Sequence, residues 1–322
     1  LLFNLAALLV EKDHIVFAVT SKRHAIEAID DGSQQVTLTE GLKNLGVKFQ
    51  ISANANSDEK VHSLITEQTL GISLSAAWIF RPSFIERFNG RIVNLHGQRL
   101  PLNRGAGGFS WLILMRQRQG GRVIHLVNSG VDTGDIVGSR ENTYPDWCRR
   151  PIDYDKVAIK ENTSLLTEFV EQIEAEADFQ LAKQDESLST YWPRLHTETH
   201  GLIDWSWSLD NIENFICAFD EPYQGSSTFV GERKVFLKNC RSDRGAGPFH
   251  PFQVGIIYKK NDGALFVAVD GGGLVVHEVK DESGESVLDD LRLGDRFYTP
   301  QAELDRAMIY RAEYTPSGIK GT

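Results

Sequence analysis

The stretch NLHGQRLPLNRGAGG (94–108) follows the apolar pattern GRIV, so that a strand reading GRIVNLH (90–96) ends in Asn-x-His and runs into a loop rich in Arg, Pro and Gly. A strand that needs only burial can end in a simple turn. Here the strand ends in two side chains able to hydrogen-bond an oxyanion, Asn94 and His96. Upstream, HIVFAVT (14–20), VKFQI (47–51) and LGISLSAAWIF (70–80) read as strands. They are separated by helix-like TLTEGLKNLG (37–46) and SDEKVHSLITEQ (57–68). RPSFIERF (81–88) reads as one or two helical turns with Pro82 near their start. Downstream come the helix pattern GFSWLILMRQRQ (108–119) and the strand RVIHLV (122–127). This alternation implies an α/β fold with a mostly parallel sheet, in which ligands sit beyond the carboxyl ends of strands. The opening LLFNLAALLV reads as a helix already under way, and a strand is expected before it.

TSLLTEFVEQIEAEADFQLAK (163–183) has the period of a long amphipathic helix. The composition then changes. STYWPRLHTETHG (189–201) reads as a linker and LDNIENFICAF (209–219) as a further helix. Beyond it the chain is strand-rich, with turn signals at Asn261-Asp262-Gly263 and Gly271-Gly272-Gly273. Short strands with regular turns predict a small β-barrel. The expected organisation is an α/β domain over 1–190, a linker over 191–205 and a β domain over 206–322.

The 322 residues carry a net charge of −10, which weighs against a broad nucleic-acid surface because phosphate binding needs clustered Lys and Arg. Cys148, Cys217 and Cys240 match no metal spacing and read as reduced cytoplasmic thiols. No apolar run approaches the roughly 18 residues of a membrane span. The opening segment lacks the basic leader and cleavage site of a signal peptide. His196 and His200 lie in HTETH, not His-Glu-x-x-His, so no metal is expected.

Thirty-six residues after His96 comes Asp132, in SGVDTGDIV (129–137), placed directly after a strand. Asp132 can therefore sit beside the end of the neighbouring strand and converge with Asn94 and His96. An amide, an imidazole and a carboxylate suit acyl transfer to an amine. Asn94 Nδ2 and a protonated His96 can donate to the tetrahedral oxyanion. Asp132 can hold His96 charged, or relay the amine proton through water. No nucleophilic Ser or Cys is required. His125 reads as a wall residue and Asp135 as a brace for the loop. RGAGG reads as a tight strand-to-helix turn, and Trp192, Trp205 and Trp207 as packing at the domain junction.

NLHGQRLPLNRG followed by GVDTGDIV resembles the 10-formyltetrahydrofolate-dependent formyltransferases. These include glycinamide ribonucleotide, methionyl-tRNA and sugar-nucleotide formyltransferases. IDWSWSLDNIENFICAF (203–219) and the β-rich tail resemble the C-terminal OB-like domain of the tRNA and sugar enzymes. The resemblance implies a Rossmann-like catalytic domain followed by an OB-like barrel. It implies a triad of Asn94, His96 and Asp132, with N10-formyltetrahydrofolate as co-substrate and no metal. It also implies a pterin slot lined by Trp78, Ile79 and Phe80 on one side and by Asn128, Ser129, Gly130 and Val131 on the other. The sequence departs from the family's His-Pro-Ser-x-Leu-Pro loop at Gly97 and Gln98.

The tRNA enzymes carry a basic insertion after the second strand. The matching stretch here (21–40) has Lys22 and Arg23 against Glu27, Asp30, Asp31 and Glu40, a poor clamp for an acceptor stem. A nucleotide-linked amino-deoxysugar fits better. The segment ENTYPDWCRRPIDYDK (141–156) reads as an insertion whose Tyr144, Trp147, Arg149 and Arg150 help close over that acceptor, with Arg99 and Arg104 as further acceptor-binding candidates. Methionyl-tRNA formylation and a silent folate-binding module are the alternatives, and a homodimer is left open.

Overall fold

In the computed structural model the described residues are all but 106–107, 176–178, 262, 316–317 and 320–322. Part of the RGAGG turn, of the 163–183 helix pattern and of the Asn261-Asp262-Gly263 turn therefore lies outside them. The first part of the chain runs α1 (Leu2–Glu11), β1 (Phe17–Thr20), α2 (Lys22–Ala25), β2 (Ala28–Asp30), β3 (Gln35–Thr37), α3 (Leu38–Asn44), β4 (Lys48–Ile51), α4 (Glu59–His62), β5 (Gly71–Leu74) and α5 (Pro82–Ile85). It continues with β6 (Ile92–His96), β7 (Arg104–Gly105), α6 (Gly108–Leu114), β8 (Gln119–Leu126), β9 (Ile136–Thr143) and α7 (Pro151–Glu174). β1 pairs with β4 in parallel, and β5 pairs with β6 in parallel. β8 and β9 extend the second sheet to the order β5-β6-β8-β9, both antiparallel.

Two elements differ from the sequence expectation for local reasons. The apolar stretch 70–80 is a strand only to Leu74, because Ser75 takes a left-handed φ of 49° that ends the ladder. The long helix begins at Pro151 rather than 163, with Pro151 in the first turn and Asp153 bonded back to Arg150. The direction of β8 matters most. α6 packs on α7 and α9 (Leu209–Ala218) instead of crossing over the sheet, so the chain re-enters the sheet antiparallel to β6.

Alternation then sorts the sheet faces. Val93, Leu95 and Ile124 pack on Leu5 of α1 and on Leu165, Leu166, Phe169 and Val170 of α7. The opposite face is left to Ile92, Asn94, His96, Val123 and His125. Trp78, Phe84, Phe88 and Ile92 form an apolar cluster at one end of that face.

β10 (Tyr191–Trp192) and α8 (Thr197–His200) lead to α9 and then to β11 (Ser226–Val230), β12 (Arg233–Asp243), β13 (Ile257–Asn261), β14 (Ala264–Val269), β15 (Gly272–Lys280) and β16 (Phe297–Tyr298). These six form one antiparallel sheet of order β13-β14-β15-β12-β11-β16. A bridge between Ile256 and Arg296 draws its two edges together, giving a curled, barrel-like sheet. Its core is continuous with the first part of the chain: Ile113, Tyr144 and Tyr154 are buried in the same cluster as Ile212, Ile216, Leu237 and Val276.

Candidate active site

β6 delivers Asn94 and His96 to the open sheet face, and the antiparallel register sets His125 opposite Asn94 and Val123 opposite His96. His125 Nε2 is 3.2 Å from Asn94 Nδ2, while His125 Nδ1 lies 2.8 Å from the Leu126 carbonyl oxygen. A carbonyl only accepts, so Nδ1 carries the hydrogen. In the neutral ring Nε2 is then the acceptor for the Asn94 amide.

The loop after β8 returns over this face and brings in Asp132. Its Oδ2 is 3.5 Å from His96 Nδ1 and its Oδ1 is 3.5 Å from His125 Nε2. The backbone N–H of Gly105 donates to Oδ2 at 2.9 Å. Asp132 has a left-handed φ of 53°, and the turn also depends on Gly134, where an added Cβ would lie 1.7 Å from the Leu126 carbonyl oxygen. The three residues picked out by spacing thus meet, but not beyond parallel strand ends. They meet over a sheet face, because β8 runs antiparallel and its exit loop must fold back.

Burial raises the Asp132 carboxyl, but His125, the neighbouring His96 and the Gly105 N–H outweigh it and hold the group below its ordinary value. Burial also dominates at His96. It pushes the ring below its ordinary value against the pull of Asp132 and the Asn103 carbonyl, and nearby His125 and Arg122 push the same way. Burial of the ring thus works against the ion pair with Asp132 that the sequence suggests. His96 Nε2 is 2.7 Å from the Asn103 carbonyl oxygen and is therefore a donor committed to the loop, which leaves Nδ1 facing Asp132. Below this face Arg122 is fully buried, donating to Gly97 O at 2.8 Å and to the Tyr144 hydroxyl at 2.6 Å.

The expected pterin walls adjoin. Asn56 donates to Ile79 O and accepts from the Arg81 N–H, and Trp78 Nε1 donates to Ala53 O, so 78–81 is a braced loop. The Trp78 side chain is buried in the apolar cluster with Phe80 and Val127, while Ile79 is exposed. Trp78 can therefore serve the slot through its backbone but not through its ring. Asn128 Oδ1 accepts from Gly130 N–H and the Thr133 hydroxyl, and residues 128–131 are exposed.

Most of the acceptor-binding candidates are placed elsewhere. Tyr144 is buried on Arg122 and Tyr154. Arg149 donates to Glu213 and to Cys240 O across the junction, and Arg150 is paired with Asp153 at the start of α7. Arg104 is gripped by Gln184 and Glu186. The 141–156 segment is thus a joint to the β domain: Tyr144 and Tyr154 lie in the shared core, Arg149 reaches across to Glu213, and Arg150 is spent on the start of α7. Trp147 is exposed. Arg99 lays its stem across Gly121 and has no ion pair among the described residues. The residue that sequence reasoning undervalued is His125. Only the strand direction, which sequence spacing does not carry, puts it beside Asn94.

Among the described residues no group of three or more His, Cys, Asp or Glu side chains is placed to hold a metal ion. No helix among them is long and apolar enough to cross a membrane.

The methionyl-tRNA formyltransferase of Geotalea uraniireducens is 31% identical over 199 residues, covering 58% of this chain and 57% of that protein. The chain thus matches less than two thirds of the length of such curated relatives. Among solved structures, WlaRD, a sugar 3N-formyl transferase crystallised with dTDP and 5-N-formyl-THF, superposes with a TM-score of 0.61 at 18% identity. The match covers 85% of this chain and 92% of that one. An N-formyltransferase from Helicobacter canadensis, in complex with folinic acid and dTDP-3-aminofucose, gives 0.58 at 16% identity, over 81% and 98%. These likenesses show the fold. Residues 7–142 match the family model for formyl transferase and residues 196–288 the model for the formyl transferase C-terminal domain, together more than two thirds of the sequence, so the chain belongs to the formyl transferase family.

Proposed function

We propose that this protein transfers a formyl group from N10-formyltetrahydrofolate to the primary amine of a nucleotide-linked amino-deoxysugar. The observation that carries the reading is the convergence of Asn94, His96 and Asp132 on one sheet face, with His125 beside the Asn94 amide nitrogen. The co-substrate supplies the formyl carbon. The neutral acceptor amine attacks it, a carbon–nitrogen bond forms, and the bond from that carbon to the folate nitrogen breaks. Asn94 Nδ2 keeps one hydrogen for the developing oxyanion, and His96 Nδ1 is the ring nitrogen not tied to the loop. The amine proton leaves through Asp132 and water to the departing folate nitrogen. Asp132 lies 3.5 Å from His96 Nδ1 and from His125 Nε2, and a hydrogen bond to either forms only when that ring is protonated.

Charge supports a small acceptor over tRNA. The 21–40 stretch, where the tRNA enzymes carry a basic insertion, has Lys22 and Arg23 against four carboxylates. In the β domain Arg233, Lys238, Arg244 and Arg306 are each paired with Asp or Glu. Lys234, Arg241, Lys259, Arg292 and Arg296 form no such pair among the described residues, so the charge balance of the 21–40 stretch carries the case against tRNA. Arg99, in the loop that follows β6, is the arginine we assign to an acceptor phosphate.

A second reading, methionyl-tRNA formylation, is favoured by the sequence match to the tRNA enzymes. The test is tetrahydrofolate release with a panel of UDP-, dTDP- and GDP-linked 3- and 4-aminosugars, with charged initiator tRNA as contrast. Turnover on an aminosugar is the expected result. Turnover on tRNA alone overturns the acceptor assignment, and folate binding without turnover on any acceptor overturns the enzyme.

A further inference from the structure

Asp132 adopts the left-handed conformation that a non-glycine residue rarely takes, so something must hold it there. Its carbonyl oxygen accepts a 2.9 Å hydrogen bond from Gln184 Nε2, which also donates to Gly134 O at 2.7 Å. Gln184 Oε1 accepts from Arg104 Nε at 3.1 Å and from Nη2 at 2.8 Å. Two partners are carbonyls, which only accept, and one is a guanidinium, which only donates. The amide can sit only one way round, with its hydrogen-bonding capacity filled.

Arg104 is fixed in turn by Glu186, Nη1 to Oε2 at 2.8 Å and Nη2 to Oε1 at 2.6 Å. The next residue, Gly105, donates its N–H to the Asp132 carboxylate. β7, which is these two residues, pairs in parallel with β10 of the linker. Asp132 is therefore gripped at its carbonyl by Gln184 and at its carboxylate by Gly105, and both grips are tied to the 184–192 segment.

We infer that Gln184 is a positioning residue, holding Asp132 in its left-handed turn and thereby keeping the carboxylate on His96 and His125. This rests on the formyl-transfer reading of Asp132. Gln184 touches neither His96 nor Asn94 among its hydrogen-bond partners, so it acts through Asp132.

The test uses the full chain with Gln184→Met, which keeps the volume and loses all four bonds, and Gln184→Glu. The Glu variant still accepts from Arg104 but sets a carboxylate oxygen against the Asp132 and Gly134 carbonyls, so it separates the two sides of the amide. The expected result is that both variants lose kcat by on the order of tenfold to 10²-fold with KM for the folate within about twofold. Histidine ring NMR gives a readout independent of turnover. His96 is faced by Asp132, His125 and Arg122, and losing the carboxylate lowers its titration midpoint in both variants. Asp132→Asn gives a shift in the same direction, and adding Gln184→Met to it moves His96 no further. A Gln184→Glu protein with wild-type kcat and wild-type His96 titration overturns the inference. So does a Gln184→Met protein that is less stable but unchanged in both. If the wild type transfers no formyl group to any acceptor, the functional reading falls, while the His96 titration still decides whether Gln184 positions Asp132.

Discussion

His125 stands across from Asn94 on the neighbouring antiparallel strand, its Nε2 3.2 Å from the amide nitrogen and its Nδ1 held by the Leu126 carbonyl. The backbone bond fixes the tautomer, and the tautomer fixes which end of the amide faces the site. Asn94→Ala should cut kcat and kcat/KM together by on the order of 10² or more, because it deletes an oxyanion donor. His125→Leu should cost about tenfold, since it frees the amide to rotate without removing it. Steady-state kinetics on both variants checks the ordering. A His125→Leu protein as active as wild type would return His125 to the role of wall.

His96 and Asp132 set an acid limit on stability. The folded His96 ring has a value below the ordinary 6.5, so as pH falls the unfolded ring takes its proton first. The stability from burying the neutral ring is complete above about pH 6.5 and is lost below it, toward the folded value. Asp132 is depressed below 3.8, so its contribution is present above about pH 4 and is lost as pH falls through its folded value. Thermal unfolding across pH should show both declines. His96→Gln should flatten the upper one, leaving the share from His24, which burial also lowers. Asp132→Asn should reduce the lower one.

Gly134→Ala should cost more than about 3 kcal/mol or prevent folding, since its Cβ would fall 1.7 Å from a backbone oxygen that cannot yield. Denaturant unfolding measures it. Gly130→Ala at the tip of the same loop should be far milder. There the clash is with the Thr133 side chain, which can rotate.

Arg149→Ala with Arg150→Ala should leave the acceptor KM unchanged and lower the unfolding midpoint by a few degrees. Arg149 joins Glu213 and the Cys240 carbonyl, and Arg150 closes the first turn of α7. Partly exposed pairs of this kind contribute about 1 kcal/mol each. A raised acceptor KM at unchanged stability would restore the acceptor role that their sequence position invites.

What the sequence revealed follows from how far each relation reaches. Asn94 and His96 were legible because alternation over two residues suffices to align them. Asp132 was legible because a loop directly after a strand has little freedom. His125 was not, since its role depends on β8 running antiparallel to β6, and that follows from where α6 packs. Arg149 and Tyr144 looked like ligand binders because aromatic and guanidinium groups serve a domain joint as well as they serve a ligand. Gln184 was invisible: 52 residues separate it from Asp132, and nothing local marks an amide as a brace.

The parallel pairing of β7 with β10 limits how such proteins can be recombined. A chimera that grafts another relative's β domain at residue 183 would keep Asn94, His96 and Asp132 yet import a foreign brace for the turn that holds the last of them. The seam that respects the active site lies after Trp192, so the segment leading to the curled sheet is inherited with the chemistry and not with the sheet it introduces.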